Sequence, residues 1–360
     1  MHAVFEVRHL YYLPQFLPVY NELIERGGTA DFVFFAHENR TLIDNIVRDT
    51  KISSHWVNDS KDALEIYRKL KPDWVFFGNK FEHLESLHEF SKSAQLGHGV
   101  GPKSSYYTKS DTPMTIRFVE GQHRYNRLLE MYPQGNFCDV GFSKLDPIFN
   151  HSEPGLNIGK LGLDPGKKTI AYAPTFYPSS IENFPKDWPA QFCDYNILIK
   201  PHHFSLTQKR LKKQRQLLNH WATYPGVYLA NSNDYSLVPF LETADILLSD
   251  ASSAIIEFAA LNKPVIWCQF LKLRWSYRGP LKFRLRQRMD EDYLLFEKIS
   301  LPVESYKELA KAVSQQLQNP EQLAEERKTN TEIMMGKVDG LASKRIVDFL
   351  WDAEPLALGS

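Results

Sequence analysis

The stretch from Ala244 to Cys268 constrains the fold more than any other part of the chain, and its sequence is ADILLSDASSAIIEFAALNKPVIWC. An apolar run at Ile246–Leu248 suits a strand that is buried on both faces. Good helix formers with apolar residues at helical spacing follow from Ala254 to Leu261, and a second apolar run begins at Pro264. This order predicts a β-α-β unit whose parallel strands are joined by a right-handed crossover.

The turn between this strand and this helix consists of small residues, Asp250, Ala251, Ser252 and Ser253. It lies beyond the carboxyl end of the strand, where parallel α/β sheets bind their ligands. Free backbone N–H groups at a helix start favour a phosphate, and Glu257, one turn further on, is placed to accept hydrogen bonds from ribose hydroxyls. The alternative is that Ser252 only caps the helix and that Glu257 belongs to a solvated helix face.

Length and composition indicate a globular protein of two domains. The 360 residues exceed what one hydrophobic core usually organises. With 24% charged residues and a formal net charge of zero, the chain is not expected to bind nucleic acid. The three cysteines are far apart and lack a CxxC spacing, which indicates a reducing compartment and neither a zinc site nor a disulfide framework. The N-terminus lacks the apolar core of a signal peptide, so we expect a cytoplasmic enzyme, with peripheral contact to the plasma membrane as an additional expectation.

Short apolar runs alternate with helical patterns along the chain, which predicts parallel α/β sheets. The segment 151–168 is rich in Gly, Pro and polar residues, so we interpret it as the linker between a domain at 1–150 and a domain at 169–335. A last helix within 336–360 is expected to cross back to the first domain. Leu206 to Trp221 is expected to form one basic helix.

A glycine-rich segment, AQLGHGVGPK, surrounds His98. Glycine allows turns and close backbone approach to a ligand that other residues forbid. A histidine on such a loop, at a strand end, is well placed as a general base. Lys103 could contact an anionic acceptor. The alternative is a turn histidine that bonds a backbone carbonyl.

Polar residues also follow two apolar strands of the second half. Thr175 comes after the strand Thr169–Ala173, and Lys200 and His202 come after Asn196–Ile199. A hydroxyl, a cation and an imidazole at strand ends suit a pyrophosphate. The alternatives are simple exposure and metal binding by the adjacent histidines. Neighbouring side chains in an extended segment point to opposite sides and there is no HExxH motif, so no metal site is predicted.

A stretch of basic and aromatic residues runs from Gln269 to Met289 without an acidic residue. This composition suits an anionic membrane surface or a polyanionic acceptor. The alternative is a solvated loop whose charges pair with the acidic residues that follow it.

Four segments resemble the CDP-glycerol glycerophosphotransferases of teichoic acid and capsule assembly, the TagB and TagF type. They are LGHGVGPK, VGFSKLDP, IAYAPTFY with ILIKPHHF, and ADILLSDASSAIIEFAALNKPVIW, in the order of that family. The resemblance implies the GT-B fold, in which two Rossmann-like domains face each other across a cleft. The donor would bind the C-terminal domain and the acceptor would enter from the N-terminal side.

The resemblance also implies residue roles. His98 matches the histidine of the family's HG motif, the expected base, and His202 matches that of its (R/K)xH motif, which contacts the donor phosphates. Ser252 and Ser253 match the serines of its DYSS turn. Ala251 replaces the usual tyrosine, Glu257 replaces the usual aspartate, and HGVGPK replaces HGTPLK.

The function implied is transfer of glycerol phosphate, or a related polyol phosphate, from a CDP-activated donor to a hydroxyl of a cell-surface glycan or lipid-linked acceptor. His98 would remove the hydroxyl proton, the oxygen would attack in line, and CMP would leave, with no metal or further cofactor. The alternative is a GT-B glycosyltransferase that uses a CMP- or UDP-activated sugar in capsule or lipopolysaccharide synthesis. A binding protein without turnover and a UDP-sugar epimerase rank below both.

Overall fold

The computed structural model describes residues 1–97, 99–101, 107, 113–231, 233–273, 279 and 295–353. These residues form two compact units. The first unit contains 1–97, 99–100, 107, 113–152 and 333–353, and the second contains 101 and 153–332 apart from the gaps. None of the helices in these ranges has the length and apolar content that a bilayer span requires.

The first unit is built on a sheet in which every pairing is parallel, with the order β3-β2-β1-β4-β5-β6-β7. The described strands are β1 (His2–Val7), β2 (Thr29–Phe35), β3 (Ser53–Val57), β4 (Trp74–Phe77), β5 (Lys92–Leu96), β6 (Ile116–Val119) and β7 (Phe137–Asp139). Central strands such as β4 are fully buried because helices cover both faces of a parallel sheet.

The helices of the first unit connect these strands and close the chain. They are α1 (Leu13–Glu25), α2 (Arg40–Thr50), α3 (Ser60–Leu70), α4 (Leu84–His88), α5 (Gln122–Met131), α6 (Asp146–Phe149) and the last helix (Ala342–Asp352), with 3-10 turns at Leu10–Tyr12 and Ser143–Leu145. In the last helix, Phe349 packs edge-on against Phe118 of β6, with ring centroids 5.3 Å apart. This contact attaches the end of the chain to the first sheet.

The second unit repeats the plan with the order β10-β9-β8-β11-β12-β13, again with all pairings parallel. Its strands are β8 (Thr169–Ala173), β9 (Asn196–Ile199), β10 (Val227–Leu229), β11 (Ile246–Ser249), β12 (Val265–Cys268) and β13 (Leu301–Val303). Its helices are α7 (His203–Thr207), α8 (Lys212–Trp221), α9 (Val238–Thr243), α10 (Ala254–Ala259), α11 (Phe296–Ile299), α12 (Tyr306–Gln318) and α13 (Ala324–Met335), whose final three residues belong to the first unit. The last described helix is therefore α14. Short 3-10 turns lie at Gly159–Leu161, Ile181–Asn183, Trp188–Phe192, Lys209–Leu211 and Pro320–Leu323.

The β-α-β unit predicted at Ala244–Cys268 is present as β11, α10 and β12, with β11 and β12 paired in parallel. The predicted α/β fold class, with two Rossmann-like domains, is therefore confirmed. The single helix predicted for Leu206–Trp221 is wrong. The chain is extended at Gln208, between α7 and the 3-10 turn that precedes α8. The basic residues in this segment favour a helix, so the sequence pattern does not predict the extended residue.

Candidate functional site

The second sheet has the strand order of a Rossmann domain, and its order reverses between β8 and β11. Ligands of such sheets bind beyond the carboxyl ends of the strands at this switch point. Thr175 follows β8 and Asp250 follows β11, so both flank it. Lys200 and His202 follow β9, which pairs with β8 on the other side. Sheet topology thus brings the predicted residues of the second unit to one edge.

Asp250 joins the two loops at the switch point. Its Oδ1 accepts a hydrogen bond from the Thr175 backbone N–H at 2.7 Å. Its Oδ2 accepts from the backbone N–H and Oγ of Ser180, at 2.9 and 3.0 Å, and from Ser179 Oγ at 3.4 Å. The carboxylate is fully buried, so it holds the loop 174–180 against the turn 250–253.

Burial raises the pKa of Asp250 to about 6, and the hydrogen bonds from Thr175 and Ser180 oppose that rise. The sequence predicts direct contact of Asp250 with a donor. Asp250 exposes none of its surface, and both its oxygens accept hydrogen bonds from the loop 174–180. The residue therefore positions the loops that surround the switch point.

The two serines of the turn differ in their local bonds. Ser252 Oγ accepts a weak hydrogen bond from the Ala254 N–H at 3.3 Å, which is part of the capping role considered above. Ser253 is the N-cap residue of α10, and its side chain makes no capping bond. Both residues are partly exposed. The serine side chains therefore remain available for a ligand at this edge.

Glu257 lies in the first turn of α10 and only 1% of its surface is exposed. Every residue of α10 is buried, so the helix lacks a solvated face. The alternative interpretation of Glu257 as a solvated residue is wrong, because the helix is inserted between the sheet and its neighbours. A ribose-binding role for Glu257 stays a prediction.

Local contacts fix His202. Its Nδ1 accepts a hydrogen bond from the Phe204 N–H at 3.1 Å, and its backbone N–H donates to the Pro174 carbonyl at 3.2 Å. The ring lies 4.8 Å from that of Phe176, between centroids. An imidazole that accepts at Nδ1 carries a proton on Nε2, so Nε2 is the atom suited to donate to a phosphate oxygen.

A buried glutamine supports this arrangement from behind. Gln214 of α8 donates to the Phe176 carbonyl and to Glu182 Oε1, both at 3.0 Å, and it accepts from Ser205 Oγ at 2.9 Å. It thereby fixes the loop that carries Phe176 relative to α7, which begins after His202. The sequence analysis missed Gln214, Ser179 and Ser180. The pair of hydroxyl residues that follows the strand-Pro-Thr segment after three intervening residues was the available signal for the two serines.

His98 and Lys103 lie outside the described residues. The chain on either side of position 98 is anchored by buried side chains. Gln15 Nε2 donates to the Leu96 carbonyl at 3.1 Å, and Arg124 Nη1 donates to the Gly99 carbonyl at 3.4 Å. The carbonyl groups of Leu96, at the end of β5, and of Gly99 are thus both held by side chains of the first unit.

The VGFSKLDP segment has a structural role within the first unit. Ser143 Oγ donates to the Gln15 carbonyl at 3.0 Å. Asp146 accepts from the backbone N–H groups of Ala342 and Ser343, at 3.2 and 2.6 Å, where α14 begins. The segment therefore connects α1 and α14, and it shares Gln15 with the glycine-rich segment.

Comparison with known proteins relates this chain to a family of glycerophosphotransferases. Residues 119–352 match the model of the family described as CDP-glycerol:poly(glycerophosphate) glycerophosphotransferase. The chain is 24% identical over 94% of its length to a teichoic acid poly(ribitol-phosphate) polymerase of Bacillus spizizenii, of which it covers 54%. It is 29% identical over 52% of its length to a teichoic acid glycerol-phosphate primase of Bacillus subtilis, of which it covers 53%. The chain thus spans about half the length of these relatives.

Solved structures share the fold at low sequence identity. A variant of the wall teichoic acid polymerase TagF matches with a TM-score of 0.66 and 15% identity, over 98% of this chain and 88% of that one. A UDP-GlcNAc 2-epimerase from Neisseria meningitidis matches with a TM-score of 0.63 and 15% identity, over 98% of this chain and 100% of that one. Proteins with different named activities thus share this architecture.

Proposed function

Since this chain belongs to the CDP-glycerol:poly(glycerophosphate) glycerophosphotransferase family, we propose that it transfers glycerol phosphate, or a related polyol phosphate, from a CDP-activated donor to an acceptor hydroxyl. The acceptor is a cell-surface glycan or a lipid-linked glycan. The curated relatives are named for glycerol-phosphate and ribitol-phosphate polymers, which supports a polyol phosphate as the transferred group.

The observation that carries this proposal is the meeting of three polar segments at one switch point. The Thr175 backbone N–H donates to Asp250, and the His202 backbone N–H donates to the Pro174 carbonyl. The loops after β8, β9 and β11 are thereby connected at the edge where Rossmann domains bind nucleotides. Two serine hydroxyls and one imidazole project from these loops, and they are suited to the oxygens of a diphosphate.

Charge neutralisation is the main requirement of such a reaction, because phosphoryl transfer depends on positioning and electrostatics more than on covalent help. We assign this role at the donor to Lys200, to Nε2 of His202 and to the hydroxyls of Ser252 and Ser253. These groups offset the charge that develops on the departing CMP, so the proposed step requires no metal at the donor phosphates. Thr175 and Glu257 complete the proposed donor site.

On the acceptor side we assign the general base to His98. It removes the hydroxyl proton, the acceptor oxygen attacks the β-phosphorus in line, and CMP leaves. A base is useful because an alcohol is a poor nucleophile at neutral pH. The anchored carbonyls of Leu96 and Gly99 support this role, since they fix the backbone on both sides of the histidine. Lys103 is the proposed contact for an anionic acceptor.

A donor screen tests the proposal. The protein is incubated with a lipid-linked glycan acceptor and with CDP-glycerol, CDP-ribitol, CMP-sugars or UDP-sugars, and the released nucleotide is quantified. We expect CMP from a CDP-polyol only. Release from a sugar nucleotide instead would support the glycosyltransferase alternative and refute the proposal.

The general base is tested separately with His98→Ala. We expect a loss of turnover of about 100-fold or more, which is the usual contribution of general base catalysis, with donor affinity retained. His88→Ala serves as a control, because His88 bonds Ser93 Oγ within the first unit at 2.7 Å and has no proposed role. Near-normal turnover of the His98 variant would remove the assignment.

The basic and aromatic stretch 269–289 is the proposed contact with an anionic membrane surface, and most of it lies outside the described residues. Co-sedimentation with vesicles that contain anionic lipid, compared with neutral vesicles, measures this contact. We expect binding to the anionic vesicles that falls as salt is added. Equal binding to both vesicle types would contradict it.

A further inference from the structure

Two histidines and a glutamate converge at the carboxyl edge of the first sheet, outside the proposed reaction. His9 follows β1, and His37 and Glu38 follow β2. These strands are parallel neighbours, with Val7 paired to Phe34, so both chain segments leave the sheet at the same edge. The three residues belong to the first unit, and the sequence analysis assigned none of them.

Two of the distances between their polar atoms are close to those within a metal ligand set. Nδ1 of His9 lies 3.1 Å from Glu38 Oε1, and Nε2 of His37 lies 3.5 Å from the same oxygen. One ligand atom from each residue lies within 4.8 Å of the other two. In a tetrahedral zinc site with bonds of about 2.0–2.1 Å, neighbouring ligand atoms are roughly 3.3 Å apart. The two shorter distances lie on either side of this value.

A second histidine–carboxylate cluster in the same sheet shows what ordinary hydrogen bonding looks like. His2 Nε2 binds Oδ2 of Asp31 at 2.8 Å, whereas His55 Nε2 binds Oδ1 at 2.9 Å. Each imidazole there has its own oxygen, and Oδ1 also accepts a hydrogen bond from Ser53 Oγ. At Glu38, both imidazoles approach one oxygen, as they would around a cation that all three residues bind. The two clusters therefore differ in how their imidazoles are arranged around the carboxylate.

The surroundings orient these groups and leave one side open. The Leu10 N–H donates to the Glu38 carboxylate, and the His9 ring stacks on Tyr11 with centroids 5.1 Å apart. Such supporting contacts fix metal ligands in place. The side chains of His9 and His37 are 35% and 49% exposed, so a ligand from solvent can reach the site. The guanidinium of the neighbouring Arg8 is directed to Glu6, with Nε 3.4 Å from Oε1.

We propose that His9, His37 and Glu38 bind one divalent transition-metal ion of the Zn²⁺ type and leave a fourth position open to water or an anionic oxygen. Two imidazoles and one carboxylate favour such an ion over Mg²⁺ or Ca²⁺, which prefer oxygen ligands alone. Three protein ligands with an open fourth position are the arrangement of catalytic zinc sites. The site is independent of the proposed donor chemistry, and its test requires no turnover.

Metal binding is measured directly on the untagged full chain. After dialysis against Zn²⁺ and removal of free ion, elemental analysis is expected to find one Zn²⁺ per chain in the wild type. His37→Ala and Glu38→Gln are expected to lose it. His37 lies on an exposed turn, so its replacement should leave the fold intact, which circular dichroism verifies. His55→Ala removes a carboxylate-bound imidazole from the Asp31 cluster instead, and it is expected to retain the ion.

Substitution with Co²⁺ identifies the ligand geometry. We expect intense visible d–d absorption from a four-coordinate site in the wild type and in His55→Ala, but not in folded His37→Ala. Addition of inorganic phosphate is expected to change that spectrum through the open position. A wild type that binds no Zn²⁺, or a folded His37 variant that binds it as the wild type does, would overturn the proposal. Displacement of Zn²⁺ by equimolar Mg²⁺ would show that the site does not select an ion of the Zn²⁺ type, and it would overturn that part of the proposal.

Discussion

Replacement of Asp250 by asparagine is expected to destabilise the protein more at acidic pH than at neutral pH. The carboxylate is buried and accepts bonds from Thr175, Ser179 and Ser180. Asparagine keeps the shape but places an N–H₂ group where one oxygen accepted, so at least one buried donor loses its partner. Such a loss costs about 1–3 kcal/mol.

The pH dependence follows from the raised pKa of Asp250. A carboxyl whose pKa rises from 3.8 to about 6 on folding favours the protonated form in the native state. Its contribution to stability is complete below pH 3.8 and is lost as the pH rises through about 6. The full rise corresponds to about 3 kcal/mol, of which about 2 kcal/mol falls between about pH 4.5 and pH 7.5. Asparagine does not titrate, so the variant lacks this pH-dependent contribution to the free energy of unfolding.

Urea unfolding, followed by tryptophan fluorescence, measures the effect. Trp188 and Trp221 are fully buried in the core of the second unit, so their emission reports its unfolding. The free-energy difference between wild type and Asp250→Asn is expected to shrink by about 2 kcal/mol from about pH 4.5 to pH 7.5. Asp245→Asn is the control, because Asp245 accepts from the Thr169 N–H but is partly exposed. A difference for Asp250→Asn that is equal at both pH values would refute the reasoning.

Three further variants test the supports of the two units by urea unfolding. Arg124→Met is expected to cost about 3–5 kcal/mol of unfolding free energy, because it leaves the buried Glu120 carboxylate without its ion-pair partner. The added change Glu120→Gln should restore part of that loss. A double variant that is no more stable than the single one would contradict this expectation. Asp146→Ala removes the acceptor at the start of α14 and is expected to cost about 1–2 kcal/mol, whereas an unchanged midpoint would show that α14 needs no cap. Gln214→Ala leaves the Ser205 hydroxyl and the Phe176 carbonyl without their Gln214 partner, so we expect the unfolding free energy to fall by about 2–4 kcal/mol. A loss below about 1 kcal/mol would show that the hydrogen bonds behind His202 are dispensable for stability.

The sequence predicted the central strands well because helices bury both faces of a parallel sheet. The strand β4 is apolar throughout, and β9 and β11 each contain three consecutive apolar residues, so these strands are visible without an alignment. The strand β13, Leu301–Val303, was missed, because three residues with a central proline carry little periodic signal. The break at Gln208 was missed for a related reason, since propensity alone does not encode one extended residue between two helical segments.

The residue types at the candidate site could be predicted, but their orientation could not. The positions of the predicted strand ends are sufficient to place Thr175, His202 and the turn 250–253 at one sheet edge. Asp250 was expected to contact a donor, yet its partners lie 70–75 positions away in the chain. Such long-range bonds determine whether a carboxylate faces a ligand or the protein, and local sequence does not record them. The same holds for His9 and Glu38, which come from different strands.

Isothermal titration with CDP-glycerol tests the central claim, that the edge after β8, β9 and β11 binds the donor phosphates. The wild type is expected to bind the donor, and His202→Ala and the double variant Ser252→Ala/Ser253→Ala are each expected to bind it at least about tenfold more weakly, because each loses a hydrogen bond to a charged group. His220→Ala, an exposed histidine of α8, is expected to bind as the wild type does. Donor affinity unchanged by loss of both the imidazole and the serine hydroxyls would contradict the account.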